Sequence, residues 1–228
     1  MSVGDAGKKL DGLLKRLRGR HADAQVPMAP QWEGMDAGVR ELVFSMLLWD
    51  NRAEAALAAF NRLRQAFVDG NDLRVALPED VGEVLGEACE PSLERAARLH
   101  CAMMDIYRRE HRLRLDHLRE VGKREARAYL DGVDGLPDYV RARLMLLCLG
   151  GHAIPVDARL CGRLWEEKTL PEKGGVDAAS GWLERQVHQG EALGVHALFI
   201  AWCEEPGRRS RAAEAPERRR SPRKGKAT

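Results

Sequence analysis

One side chain and one turn near the middle of the chain have the types and placement to do chemistry: Asp157, and the turn Gly135-Leu136-Pro137 upstream of it. Asp157 follows Ile154-Pro155-Val156, an extended approach to a helix, and is well placed to cap that helix. A carboxylate so fixed can also stabilise a developing positive charge and orient a water for attack. The turn precedes a helix, and backbone N–H groups at a helix N-terminus can hold a phosphate without any side-chain charge. The plainer alternatives are a helix cap and a tight turn between antiparallel helices.

Helices must position these groups. Residues 122–133 carry helix formers, and the break at Asp134-Gly135-Leu136-Pro137 uses a glycine that tolerates positive φ and a proline suited to a first helical turn. Residues 138–149 restart an apolar helix, which Gly150-Gly151 stops. The helix opened by Asp157 runs on through Trp165. Upstream, residues 37–48 read as a buried helix, and Asp50 or Asn51 as the cap of a helix at 54–67 with an apolar stripe of Leu57, Phe60, Leu63 and Phe67. Asp69-Gly70-Asn71-Asp72 reads as the turn that ends it. Further helices are expected at 78–85, 92–109, 176–187 and 191–203. Near the N-terminus Leu10, Leu13, Leu14 and Leu17 mark a basic amphipathic helix that packs on the body. No alternating run has strand character, so the fold class is all-α.

The chain of 228 residues is long enough for a real core. No stretch of eighteen apolar residues spans a membrane, and the N-terminus lacks a signal-peptide core. Five widely spaced cysteines read as reduced and buried, so the expected setting is cytoplasmic. His100, His111 and His117 show no ligand spacing, and no metal site is expected. Charge is unevenly spread. Residues 206–228 carry +7, residues 1–20 carry +4, and the body between them carries −9. The basic tail is expected to be disordered, and both termini to attract phosphates.

The region from Tyr129 to Arg163 resembles the helix-hairpin-helix and catalytic-aspartate region of the endonuclease III (HhH-GPD) superfamily of DNA glycosylases. Leu130, Val133, Gly135 and Leu136 match the hairpin, and Val156-Asp157 matches the family's hydrophobic-Asp pair. The family's lysine stands eighteen residues before its aspartate, where this chain has Tyr139. The likeness extends over about 35–204 and implies three parts: a basic helix and loop at 1–34, a two-lobed helical glycosylase domain at 35–205 (hairpin 122–149, Asp helix 156–165), and the tail at 206–228.

The resemblance implies base-excision repair of double-stranded DNA, with Asp157 stabilising the sugar cation formed when an N-glycosidic bond breaks. Lysine members form an imine with the sugar. A phenol cannot, so Tyr139 implies a monofunctional glycosylase without the lyase step. Gly135, Leu136 and Pro137 would bind DNA, although Pro137 replaces the family's second glycine and removes a donor. Asn51, three residues beyond Leu48, falls where the family inserts a polar side chain into the space left by an extruded base. Gly162 stands where many members have arginine. Only Cys203 follows the Asp helix, so no iron–sulfur cluster and no other cofactor is implied. Two further functions stay open: a DNA-binding protein that kept the fold and lost catalysis, and a helical protein-interaction module suggested by the acidic body.

Overall fold

A computed structural model describes residues 3–171 and 174–206. The tail beyond Pro206 lies outside the described residues, and with it the expectation of disorder there. The described residues form helices and no strand. In chain order the helices are α1 (Val3–Arg20), α2 (Ala37–Leu48), α3 (Ala53–Ala66), α4 (Gly70–Val75), α5 (Pro78–Leu85), α6 (Ser92–Glu110), α7 (Lys123–Asp131), α8 (Asp138–Leu147), α9 (Ala158–Glu166), α10 (Val176–Gln186) and α11 (Ala192–Glu204). None is long and apolar enough to cross a membrane.

Two hydrophobic cores divide the molecule into lobes. The larger is built from α2 to α8, around Leu42, Phe44, Leu47, Phe60, Leu63, Leu99, Met103, Ile106 and Leu144. The smaller joins the two ends of the chain. Leu10, Leu13, Leu14 and Leu17 of α1 pack with Leu160, Leu164, Trp182, Leu183, Phe199 and Trp202 of α9 to α11. Each leucine so covered contributes about 1.5–3 kcal/mol, enough to hold the basic amphipathic helix to the far end of the sequence. The chain passes from the larger core to the smaller between Ala153 and Ile154, within a segment buried through Asp157.

Local signals explain where the helices start. Asp36 accepts from the N–H groups of Gly38 (2.9 Å) and Val39 (3.1 Å) to open α2, which is buried nearly all round. Pro78 occupies the first turn of α5. The supposed turn at Asp69 instead opens the short helix α4, because the Asp69 carboxylate takes the Asn71 and Asp72 N–H groups. Leu57, expected in the apolar stripe of α3, is 42% exposed, while Ala56 and Ala59 face the core. Cys101 also departs from expectation and is exposed. Cys89 is buried and the other three are partly covered.

The pair α7 and α8 forms the helical hairpin. Gly135 lies at φ +78°, and a Cβ there would come within 2.6 Å of the Arg98 carbonyl oxygen on α6. Glycine is therefore demanded twice, by its backbone angle and by the helix packed behind it.

Candidate active site

Asp157 caps α9 as the spacing suggests. Its carboxylate accepts from the Leu160 N–H at 2.8 Å, and the side chain is buried between the lobes. A second carboxylate completes the cap. Asp50, at the turn after α2, accepts from the Ala158 N–H at 2.8 Å, while its own backbone N–H is bonded to Asp157. Asp50 sits at φ +51°, a conformation that aspartate tolerates better than most residues. Sequence reasoning placed Asp50 or Asn51 as the cap of α3, and the structure corrects this. The N-cap position of α3 is Arg52, which makes no capping bond with its side chain. The first N–H of α3, that of Ala53, donates instead to Glu204 at the end of α11, at 3.0 Å. Each lobe thus supplies a carboxylate to a helix N-terminus of the other. No local sequence pattern announces a cap that arrives from more than a hundred residues away.

Asp157 lines a cleft together with Leu48, Asn51, Tyr139, His196, Phe199 and Cys203. Tyr139 and Asp157 therefore meet in one cleft, and Asn51 is at its rim. Asn51 bonds locally as well, its Oδ1 accepting from the Arg52 N–H at 2.8 Å. The hairpin residues do not join this group. Leu136 and Pro137 are buried, so any outside contact there is made through backbone. The N–H groups of Gly135, Leu136 and Asp138 donate to no described residue, whereas that of Asp134 is taken by Asp105 at 3.1 Å.

Arg159 also lines the cleft. Its guanidinium reaches the Asn51 carbonyl, the Cys203 carbonyl at 2.7 Å and the Glu204 carboxylate at 3.9 Å. Arg52 meets the same Glu204 at 3.0 Å. The open space in the cleft is only about 20 Å³, room for a water and far less than a nucleobase needs.

Burial is the largest influence on the titratable groups of the cleft. Burial pushes the Asp157 carboxyl up from its ordinary value, and Asp50 adds to the shift; the Leu160 and Asp50 N–H groups and Arg159 oppose it. The helix N-terminus therefore does not dominate, contrary to what a cap alone would suggest. Burial, and then Asp157, also push the Cys203 thiol up to about 12. Burial raises the Tyr139 phenol well above its ordinary range, against the positive charge of nearby Arg143.

Below the cleft lies a network that sequence reasoning missed. Arg143 is completely buried. It donates to Glu41 (2.7 Å), Ser45 (3.0 Å), the Pro27 carbonyl (2.9 Å) and His196 Nε2 (2.9 Å). Tyr139 lies beside it, with ring centroids of Tyr139 and His196 6.3 Å apart. Arg143 reads in the sequence as the polar position of an amphipathic helix. Only the count of apolar neighbours on every side of α8 hinted at burial.

Two helical lobes, a helical hairpin and a carboxylate at the cleft between the lobes together define the endonuclease III-like fold. Three solved structures with this architecture resemble the chain. A trapped endonuclease III–DNA covalent intermediate superposes with a TM-score of 0.64 at 13% identity, over 88% of this chain and 89% of that one. A thermostable thymine-DNA glycosylase gives 0.59 at 15% identity, over 86% and 87%. The H. pylori 3-methyladenine DNA glycosylase bound to 1,N6-ethenoadenine gives 0.55 at 16% identity, over 89% and 94%. No family model matches the sequence, and no curated protein matches it.

Proposed function

We propose that the protein is a monofunctional DNA glycosylase that hydrolyses the N-glycosidic bond of a damaged or mismatched base in double-stranded DNA. The observation that carries this is Asp157, a buried carboxylate at a helix N-terminus in the cleft of an endonuclease III-like fold. Cleavage of the bond leaves a cationic, oxocarbenium-like sugar, and a fixed carboxylate stabilises that charge and orients the incoming water. Tyr139 lines the pocket without attacking the sugar, since it has no amine with which to form an imine. The target nucleotide enters the cleft extruded from the duplex, which requires Arg159 to release the Asn51 and Cys203 carbonyls. Asn51, at the rim, faces the space that the base leaves. The helix-hairpin-helix contributes backbone N–H groups of Gly135, Leu136 and Asp138 to a phosphate.

A screen of lesion-bearing duplexes with wild type and Asp157→Asn tests the reading. Release of a base by wild type and its loss in Asp157→Asn supports it, and equal release by both refutes it. Borohydride should trap no covalent enzyme–DNA adduct. The basic tail supplies much of the sequence-independent affinity, because the body between the termini carries −9. A chain ending at Glu205 should bind duplex DNA more weakly and with a shallower salt dependence.

The small volume of the cleft favours a second reading, a non-catalytic DNA-binding protein. Duplex binding by wild type without release of any base would establish it.

A further inference from the structure

His196 is 1% exposed and lines the cleft beside Asp157 and Tyr139. Its Nε2 lies 2.9 Å from Arg143 Nη1. A guanidinium can only donate, so Nε2 accepts and the ring proton resides on Nδ1. Glu41, Ser45 and the Pro27 carbonyl fix Arg143 in turn, so the tautomer is set by a network beneath the cleft. Burial and the adjacent guanidinium hold the imidazole well below its ordinary value, and the ring stays neutral. The result is a buried N–H donor of fixed direction, and Nδ1 has no hydrogen-bond partner among the described residues. Buried donors are nearly always paired, so an orphan on a side chain that lines the cleft points to a partner that arrives with the ligand.

We propose that the Nδ1–H of His196 reads a hydrogen-bond acceptor on the base admitted to the cleft, so that the site selects bases with a carbonyl oxygen or an unprotonated ring nitrogen at that edge. The inference rests on the glycosylase reading for the nature of the ligand. A base offering a donor, or nothing, at that edge would leave the Nδ1–H unpaired in the closed site and be rejected. Asp157 is a poorer reader, because its carboxylate already accepts from the Leu160 and Asp50 N–H groups.

A structural role for His196, as the acceptor that Arg143 needs, is separated by choice of variant. Glutamine places a carbonyl oxygen about where Nε2 lies and no donor at Nδ1, so His196→Gln keeps the Arg143 bond and deletes the reading group. Asparagine places an amide about where Nδ1 lies, so His196→Asn does the reverse. The probes are duplexes whose target bases differ by one acceptor atom: adenine and hypoxanthine against their 3-deaza and 7-deaza forms, and uracil against 4-thiouracil. Full-length wild type and both variants are compared by base release and by duplex affinity. Wild type should favour at least one parent base over its altered form by roughly tenfold or more, and His196→Gln should bring that ratio to within about twofold of unity, with His196→Asn retaining part of it. An unchanged ratio in His196→Gln, or no single-atom preference in wild type, overturns the proposal and leaves the glycosylase reading untouched. A single-atom preference in affinity that His196→Gln abolishes, without release from any duplex, removes the hydrolytic reading and keeps His196 as the reader. Absence of preference in both measurements overturns the assignment of His196.

Discussion

Arg143 and Arg159 both bond across the two lobes, yet their surroundings give them opposite roles. Arg143 is fully buried and meets a carboxylate, a hydroxyl, a carbonyl and an imidazole, so nothing in its shell can be replaced by water. Arg159 is partly exposed at the rim and meets two backbone carbonyls, with Glu204 at the longer distance of 3.9 Å. Water or a phosphate can take over those bonds when the side chain swings away. A buried charge hydrogen-bonded through all three guanidine nitrogens is costly to disturb, whereas a part-exposed one exchanges partners cheaply. The same residue type thus builds a permanent floor under the cleft and a releasable clasp at its rim.

The largest effect should come from the floor. Arg143→Met removes one partner and leaves Glu41 buried without its cation, which should cost about 3–5 kcal/mol of stability, measured by denaturant unfolding. A loss near zero would mean that Glu41 finds another partner and the network is not a fixed support.

Asp157→Asn follows. If Asp157 acts on the sugar cation, base release should fall by roughly 10²-fold or more, while the amide still caps α9 and stability changes little. Catalysis needs the ionised carboxylate, so activity should be lost as pH falls through the Asp157 pKa. Burial and Asp50 raise that pKa, so the loss should begin at higher pH than for an ordinary aspartate. Asp50→Asn removes one negative neighbour while keeping an acceptor for the Ala158 N–H. It should move the acid limb to lower pH, and an unmoved limb would separate the limb from Asp157.

The clasp should respond more mildly. Arg159→Ala should cost no more than about 1 kcal/mol, in line with a part-exposed pair. It removes a cation that lowers the Cys203 thiol, so faster alkylation of Cys203 would report a gain in exposure large enough to outweigh that loss. Site-resolved mass spectrometry with a maleimide would show this, and slower labelling would mean that Arg159 does not shield the thiol. The smallest effect belongs to Tyr139→Phe, which keeps the ring beside His196 and should leave base release within a few-fold of wild type.

The local parts of this protein were legible in its sequence. Periodicity, prolines, glycines and the Asp157 cap mark helices because they act over a few residues, and the expected bounds agree with α2 and α5 at both ends. The hairpin glycine was legible for its positive φ. That a Cβ would also strike the Arg98 carbonyl is a fact about α6 packing against the hairpin. The family resemblance paired Tyr139 with Asp157, and both line one cleft.

What the sequence could not determine is which groups meet between the lobes. Asp50 looked like the cap of the next helix, but it caps α9, and Glu204 caps α3, because helix N-termini take whatever acceptor the fold delivers. Arg143 and Glu41 are separated by 102 positions and read as ordinary charged residues. Burial alone turns them into a network that fixes the tautomer of His196. Capping and amphipathicity are short-range and were written into consecutive residues. Burial of a charge, and the direction of a lone N–H donor, are set by the packing of two lobes, and only the tertiary structure decided them.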